Sequence, residues 1–295
     1  MIRLVEVGPR DGLQNEKEIV PIEVKLAFIE ALAQAGYQEI EATSFVSPRW
    51  IPQLADAEEV SHQLKPHDGL VYTALVPNRK GLLRALECGY QRVAVFTAAS
   101  EAFSQKNTNR SIAESLQEFQ PLVQEAHNAG VSVRGYVSTA WWCPYAGRIP
   151  AAEVVRVSDA LLDMGIEEVS LGDTVGLAVP TQVQETLEKL LSRRDKIALH
   201  FHDTSGTALA NVLQAYQMGF SVFDCSAGGL GGCPYAPGAS GNLASEDILY
   251  MFEQMGVPTG VNLEKVARAS RELARKLGRT LPSRTLARLQ AGWSD

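Results

Sequence analysis

Eight short runs rich in Val, Ile and Leu recur along this 295-residue chain, with helical apolar spacing between them. They are IRLVEV (2–7), YQEIEAT (37–43), GLVYTALV (69–76), RVAVFT (92–97), VSVRGYVS (131–138), IEEVSLG (166–172), KIALHFH (196–202) and SVFDCSA (221–227). Gly36, Gly89, Gly130, Gly165 and Gly219 each stand just before such a run, where a helix ending in the left-handed conformation calls for glycine. The repeated phrase is helix, glycine, strand. Eight βα units predict a closed (β/α)8 barrel, the TIM barrel. A doubly wound open sheet is the alternative, but no GxGxxG turn follows the first strand. From about residue 256 an amphipathic helix is added, roughly VNLEKVARASRELARKLG. The expected organisation is one barrel domain over residues 1–277, that helix included, and a short basic tail over 278–295.

The balance of charge narrows the partners. A formal charge of −7 argues against a nucleic-acid-binding face, which needs a broad basic surface. No stretch is long and apolar enough to span a membrane, and Met1 leads straight into a strand without a signal or transit peptide. Cys88, Cys143, Cys225 and Cys233 match no CxxC metal pattern, and a chain of this size needs no disulfide staples. They are expected to be free thiols of a cytoplasmic protein.

A TIM barrel builds its site at the C-terminal ends of its strands, and the polar residues gather there. Strand one ends in GPRDGLQN, bringing Arg10, Asp11 and Gln14; strand two carries Glu41; strand six ends at Asp173. Strand seven ends in His200-Phe-His202-Asp203, and strand eight runs into SAGGLGGCPYAPGASGN, with Cys233 and Asn242. His200 and His202 are two apart and so share a strand face. Two unpaired imidazoles in a core would each cost about 1–3 kcal/mol. With one carboxylate from Asp11, Asp173 or Glu41 they form a two-His, one-carboxylate centre for a divalent metal. By the same alternation Asp203 faces away and is expected to cap the following helix.

Asn242 and Glu246 are four apart; on one helix face, the amide oxygen becomes a further ligand and Glu246 its support. An Asn cap with a solvent-facing Glu is the plainer alternative. Arg10 suits an enolate oxygen as its charge develops, or a structural ion pair with Glu41 or Asp173. Cys233, among glycines, suits a thiol on a mobile loop that moves a proton; an inert buried thiol is the alternative. Cys88 and Cys225 are expected to be inert, and Cys143 is open.

The stretches VEVGPRDGLQNE, ATSFVSP, SLGDT, HFHDT and GLGGCPYAPGASGNLASED resemble 3-hydroxy-3-methylglutaryl-CoA lyases along essentially the whole chain. The wider superfamily of Claisen-type synthases and carboxyltransferases shares the RDG start and the His-x-His pair, whereas the GGCPYA loop points to the lyase branch. The resemblance implies a TIM barrel that cleaves 3-hydroxy-3-methylglutaryl-CoA to acetyl-CoA and acetoacetate, in leucine degradation and ketone body metabolism. It implies a divalent cation, Mg2+ or Mn2+, on Asp11, His200, His202 and Asn242. Arg10 matches the enolate-holding residue, Cys233 the proton-transferring thiol, Glu41 and Asp173 acidic site residues, and Glu246 a supporting one. Lys106 and Asn107 match positions that contact the acyl-CoA substrate, and a homodimer is implied.

Two departures bear on the substrate. Trp141 and Trp142 stand where small residues are usual, and indoles at the barrel mouth are expected to reshape the pocket toward a related 3-hydroxyacyl-CoA. Gly228 stands where a slightly larger residue is common. No cysteine follows Cys233, so a redox switch through a C-terminal cysteine is not expected. A Claisen-type synthase is a further alternative, as is a barrel that has kept its fold and lost catalysis; the intact set of ligand candidates speaks against the latter.

Overall fold

The computed structural model describes residues 1–232 and 241–292. Among them eight parallel strands close into a barrel in sequence order: β1 (Arg3–Glu6), β2 (Glu39–Ser44), β3 (Val71–Leu75), β4 (Arg92–Ala98), β5 (Ser132–Ser138), β6 (Glu168–Asp173), β7 (Ile197–Phe201) and β8 (Val222–Cys225). Closure comes from β1 pairing with β8, with Arg3 opposite Val222 and Glu6 opposite Cys225. Each of the eight expected strands is present. The five glycines that precede strands all have positive φ, as a left-handed helix end requires.

Alternate residues on each strand face opposite sides, and this divides the core in two. The larger apolar layer lies between the strands and the surrounding helices and includes Ile40, Val93, Val133, Val169, Leu199 and Phe223. Inside the barrel the apolar contribution is small: Val5, Val7, Ala198 and Val222 form one group, and Leu75, Ala94 and Tyr136 another. The rest of the interior is charged. Arg134 is fully buried and donates to Asp224 at 2.5 Å, to Glu168 at 2.9 Å and to the Tyr136 hydroxyl at 2.9 Å. Arg3 and Arg92 also pair with Glu39 and Glu168. Burying such charges is tolerable because each has an opposite partner.

The added helix spans Leu263–Leu277 and is capped by Asn262, whose side chain accepts from the Lys265 amide. The segment expected as a tail carries another helix, Arg284–Gln290, and buries Leu281 and Leu286. Asp247 pins it by accepting from the Ser283 hydroxyl at 2.9 Å and the Thr285 amide at 2.7 Å. Seven residues are too few to show a helical period, so this helix had no signal in the apolar pattern. Leu281 also accounts for Gly228: a Cβ there would lie 2.3 Å from the Leu281 side chain, and φ is +71°.

Candidate metal centre at the barrel mouth

Arg10 and Asp11 leave β1 on one wide helical turn, Gly8–Gly12. The Gly12 amide donates to Val7 five residues back, at 3.2 Å, and the Leu13 amide to Gly8. That π-type spacing is rare and often marks a functional site. Glu6, fully buried below, accepts from the Gly8 amide at 2.8 Å, the Ala227 amide at 2.9 Å and the Ser245 hydroxyl at 2.6 Å. It ties the turn to the segment after β8. Burial pushes its pKa up to about 7 against those hydrogen bonds.

His200 stands next to last on β7 with its ring inward, and His202 follows the strand, with ring centroids 5.2 Å apart. Ligating atoms of Asp11, His200 and His202 all lie within 4.8 Å of one another. The second and third strand-end carboxylates do not join them. Asp173 spends its oxygens on the turn beyond β6, accepting from the Leu177 amide at 3.2 Å and the Ala178 amide at 3.0 Å, and burial raises its pKa to about 6. Glu41, fully buried, accepts from Arg10 Nε at 2.6 Å. Arg10 and Asp11, neighbours on the turn, face each other: Arg10 Nη1 donates to Asp11 Oδ1 at 2.7 Å. Burial alone would favour a neutral Arg10, but Glu41 and Asp11 outweigh it and hold the guanidinium cationic. Burial likewise raises Asp11, and Arg10 with the two histidines brings it below its ordinary value.

Asn242 reaches the group from backbone rather than from a helix. The helix that follows begins only at Ser245, and Asn242 bridges His202 in antiparallel fashion. Its Nδ2 donates to Asp11 Oδ2 and to the Leu230 carbonyl, each at 2.9 Å, which leaves Oδ1 buried and without a hydrogen bond. The approach needs glycine at position 231, where φ is +117° and a Cβ would stand 2.5 Å from the Asn242 amide. Glu246 does not touch Asn242; both its oxygens accept from the Gly228 amide, at 3.1 and 2.8 Å. It supports the turn after β8 because the chain between 242 and 245 is extended, so the expected helical spacing does not apply. Asp203 caps the next helix by accepting from the Ala208 amide at 3.0 Å, as expected.

The donor set fits a divalent cation. His202 Nδ1 and Asn242 Oδ1 are buried with no hydrogen-bond partner, a costly state that a cation relieves. Burial and the neighbouring His200 push the His202 pKa down to about 4, so its ring is neutral, as a ligand must be. Cys233 lies outside the described residues. Lys106 is exposed and Asn107 half-buried on the helix Glu101–Thr108, which follows β4 at this end of the barrel. Among the described residues the other cysteines are free; Cys143 is buried and accepts from the Ser100 hydroxyl at 3.0 Å.

The two tryptophans do not narrow the mouth. Trp141 packs on Phe201, with centroids 5.5 Å apart, and Phe201 points out of the barrel between the two inward histidines. Trp142 donates to Gln182 at 3.1 Å on the helix Pro180–Glu188. The expectation of a reshaped pocket fails because the indoles lie in the layer between barrel and helices.

Residues overlooked in the sequence are the inward charges of the strands. Asp224 accepts from His200 Nδ1 at 3.2 Å, Arg134 stands behind it, and the Tyr136 ring lies under the Arg10 guanidinium. Their signal was present: a charge at an inward position of an otherwise apolar parallel strand.

Fold and site together define a (β/α)8 barrel with a candidate cation centre at its catalytic end. Residues 1–273 match the HMGL-like family. The chain is 51% identical over 287 residues to hydroxymethylglutaryl-CoA lyase YngG of Bacillus subtilis, covering 97% of this chain and 96% of that protein. It superimposes on a Bacillus subtilis HMG-CoA lyase crystal structure with a TM-score of 0.96 at 50% identity, covering 98% of each chain. An Acinetobacter baumannii HMG-CoA lyase in complex with coenzyme A and 3-methylmalate gives a TM-score of 0.94 at 39% identity, covering 99% of this chain and 95% of that one. The chain belongs to the HMGL-like family.

Proposed function

We propose that this chain is a carbon–carbon lyase that cleaves 3-hydroxy-3-methylglutaryl-CoA, the substrate in the names of its relatives, to acetyl-CoA and acetoacetate. The observation that carries the reading is the convergence of Asp11, His200 and His202 beside the cationic Arg10, with the Asn242 oxygen buried and unpartnered. Asp11, His200, His202 and Asn242 would hold Mg2+ or Mn2+. When bound, the cation supplies Lewis-acid polarisation of the substrate's tertiary hydroxyl.

The chain's own residues divide the remaining work. Of the two candidate bases, His200 and Asp11, it is Asp11 that takes the hydroxyl proton, because His200 would give its free nitrogen to the cation. As the carbon–carbon bond breaks, its electron pair passes into the thioester, and Arg10 receives the enolate oxygen. Glu41 aims Arg10 by holding Nε, leaving the guanidinium charge in place. Cys233 then protonates the acetyl carbon. Asp173 and Glu246 set the loops around the site rather than touching the reacting atoms. Lys106 and Asn107 are proposed contacts to the acyl-CoA, whose coenzyme A part is bound in the Acinetobacter baumannii relative.

The test is a coupled acetyl-CoA release assay on 3-hydroxy-3-methylglutaryl-CoA beside citramalyl-CoA and longer-chain analogues. Preference for the first is expected, since neither indole reaches the inward face. Preference for an analogue, or free CoA released from acetyl-CoA and a keto acid instead, would replace this reading by a related lyase or a synthase. We further propose a homodimer of the 32.0 kDa chain, tested by sedimentation, and a cytoplasmic location consistent with the free thiols, tested by fractionation.

A further inference from the structure

The barrel interior beneath the site holds a chain of buried polar contacts that the reaction described above does not use. Asp224 sits on β8 with its side chain fully buried. One oxygen, Oδ1, accepts from Arg134 at 2.5 Å. The other, Oδ2, accepts from the Ser170 hydroxyl at 2.8 Å and meets His200 Nδ1 at 3.2 Å. Arg134 is in turn fixed by Glu168 and by the Tyr136 hydroxyl, each at 2.9 Å. Every partner in this chain comes from a barrel strand, so the arrangement is rigid: Glu168 and Ser170 from β6, Arg134 and Tyr136 from β5, His200 from β7.

We propose that Asp224, clamped by Arg134 and Ser170, is the positioning residue that fixes the His200 ring and thereby sets the cation affinity of the centre. A carboxylate paired to a guanidinium can only accept, so the hydrogen on His200 resides on Nδ1. That leaves the Nε2 lone pair free, and Nε2 is the atom on the Asp11 side, 3.9 Å from Asp11 Oδ2. An imidazole protonated on the other nitrogen would turn an N–H toward the centre and could not ligate. Carboxylates behind ligating histidines commonly fix the tautomer in this way, and removing them costs about 10–100-fold in metal affinity. Arg134 makes the device possible, since a lone carboxylate buried at that depth would not remain charged.

The inference rests on the reading that this group holds a cation, and the experiment separates the two. Mn2+ is titrated into the metal-free protein with electron paramagnetic resonance reporting free Mn2+, for the wild type, Asp224→Asn and Ser170→Ala. The His200 tautomer in each metal-free protein is read from side-chain 15N shifts. Asp224→Asn is expected to weaken Mn2+ about 10–100-fold and to mix the His200 tautomers. Ser170→Ala keeps the charge balance, removes only the hydroxyl holding Oδ2, and is expected to weaken Mn2+ about threefold or more, the worth of one hydrogen bond. It is the deciding variant if Asp224→Asn does not fold. Tight Mn2+ binding by the wild type that stays unchanged in folded Asp224→Asn or in Ser170→Ala, with the His200 tautomer unmoved, overturns the inference alone. A wild type that binds no Mn2+ overturns the cation reading and this inference with it.

Discussion

Replacing Arg10 by Met separates the catalytic from the structural part of its environment. Arg10 is 6% exposed and bonded to Glu41, which is fully buried. Its loss leaves a buried carboxylate without its cation, which costs about 3–5 kcal/mol. For a chain of 295 residues, an unfolding entropy of about 2.1 cal/mol/K per residue converts this to a fall of about 5–8 °C in melting temperature. The enolate also loses its donor, worth about 100–1,000-fold in kcat. The double variant R10M/E41Q distinguishes the two effects. Removing the stranded charge is expected to restore most of the melting temperature while kcat stays down. The assays are calorimetry and acetoacetate release on the same preparations. Arg10→Met with kcat within about threefold of wild type, or a double variant that regains activity along with stability, refutes the assignment of Arg10 to the developing charge.

Three further outcomes follow from other parts of the molecule. Glu6 has its pKa raised by burial to about 7, so its folded form binds the proton more tightly than its unfolded form. Its contribution is present below about pH 4.5 and lost as pH rises through 7, roughly 3 kcal/mol in all, so Glu6→Gln should flatten stability against pH over that window in urea titrations. An unchanged slope would refute it. Cys233→Ala should lower turnover about 100–10,000-fold while Mn2+ affinity holds, and equal loss of both would assign the thiol to the cation instead. Trp141→Phe should leave KM for 3-hydroxy-3-methylglutaryl-CoA within about twofold while lowering the melting temperature, because the indole packs on the outward Phe201. A changed substrate preference would put the indole in the pocket.

The barrel was legible because its signals are local and repeated. A left-handed glycine precedes five of the strands, and each strand is a run rich in branched residues, so eight strands could be counted without knowing their partners. The histidine pair was legible for the same reason, since two residues on one strand share a face by geometry alone. What escaped depended on distant partners. Arg134 and Asp224 are ninety residues apart, and neither reads as part of a site until the barrel closes. The wide turn at Gly8–Gly12 has a hydrogen-bond spacing with no sequence signature. Helical spacing puts Glu246 beside Asn242, but the segment is not yet helix at Asn242. Size alone puts the tryptophans in the pocket, whereas the parity of Phe201 decides which side of the wall they occupy.

The central claim is that Asp11, His200, His202 and Asn242 hold the cation on which cleavage depends. The most direct measurement is acetoacetate release from 3-hydroxy-3-methylglutaryl-CoA by chelator-stripped protein as Mn2+ is added back, with Asp11→Asn run in parallel. No cleavage is expected in the stripped protein, activity that saturates at one Mn2+ per chain in the wild type, and none from Asp11→Asn at the same added Mn2+. Full cleavage by the stripped protein, or wild-type activity from Asp11→Asn, would contradict it.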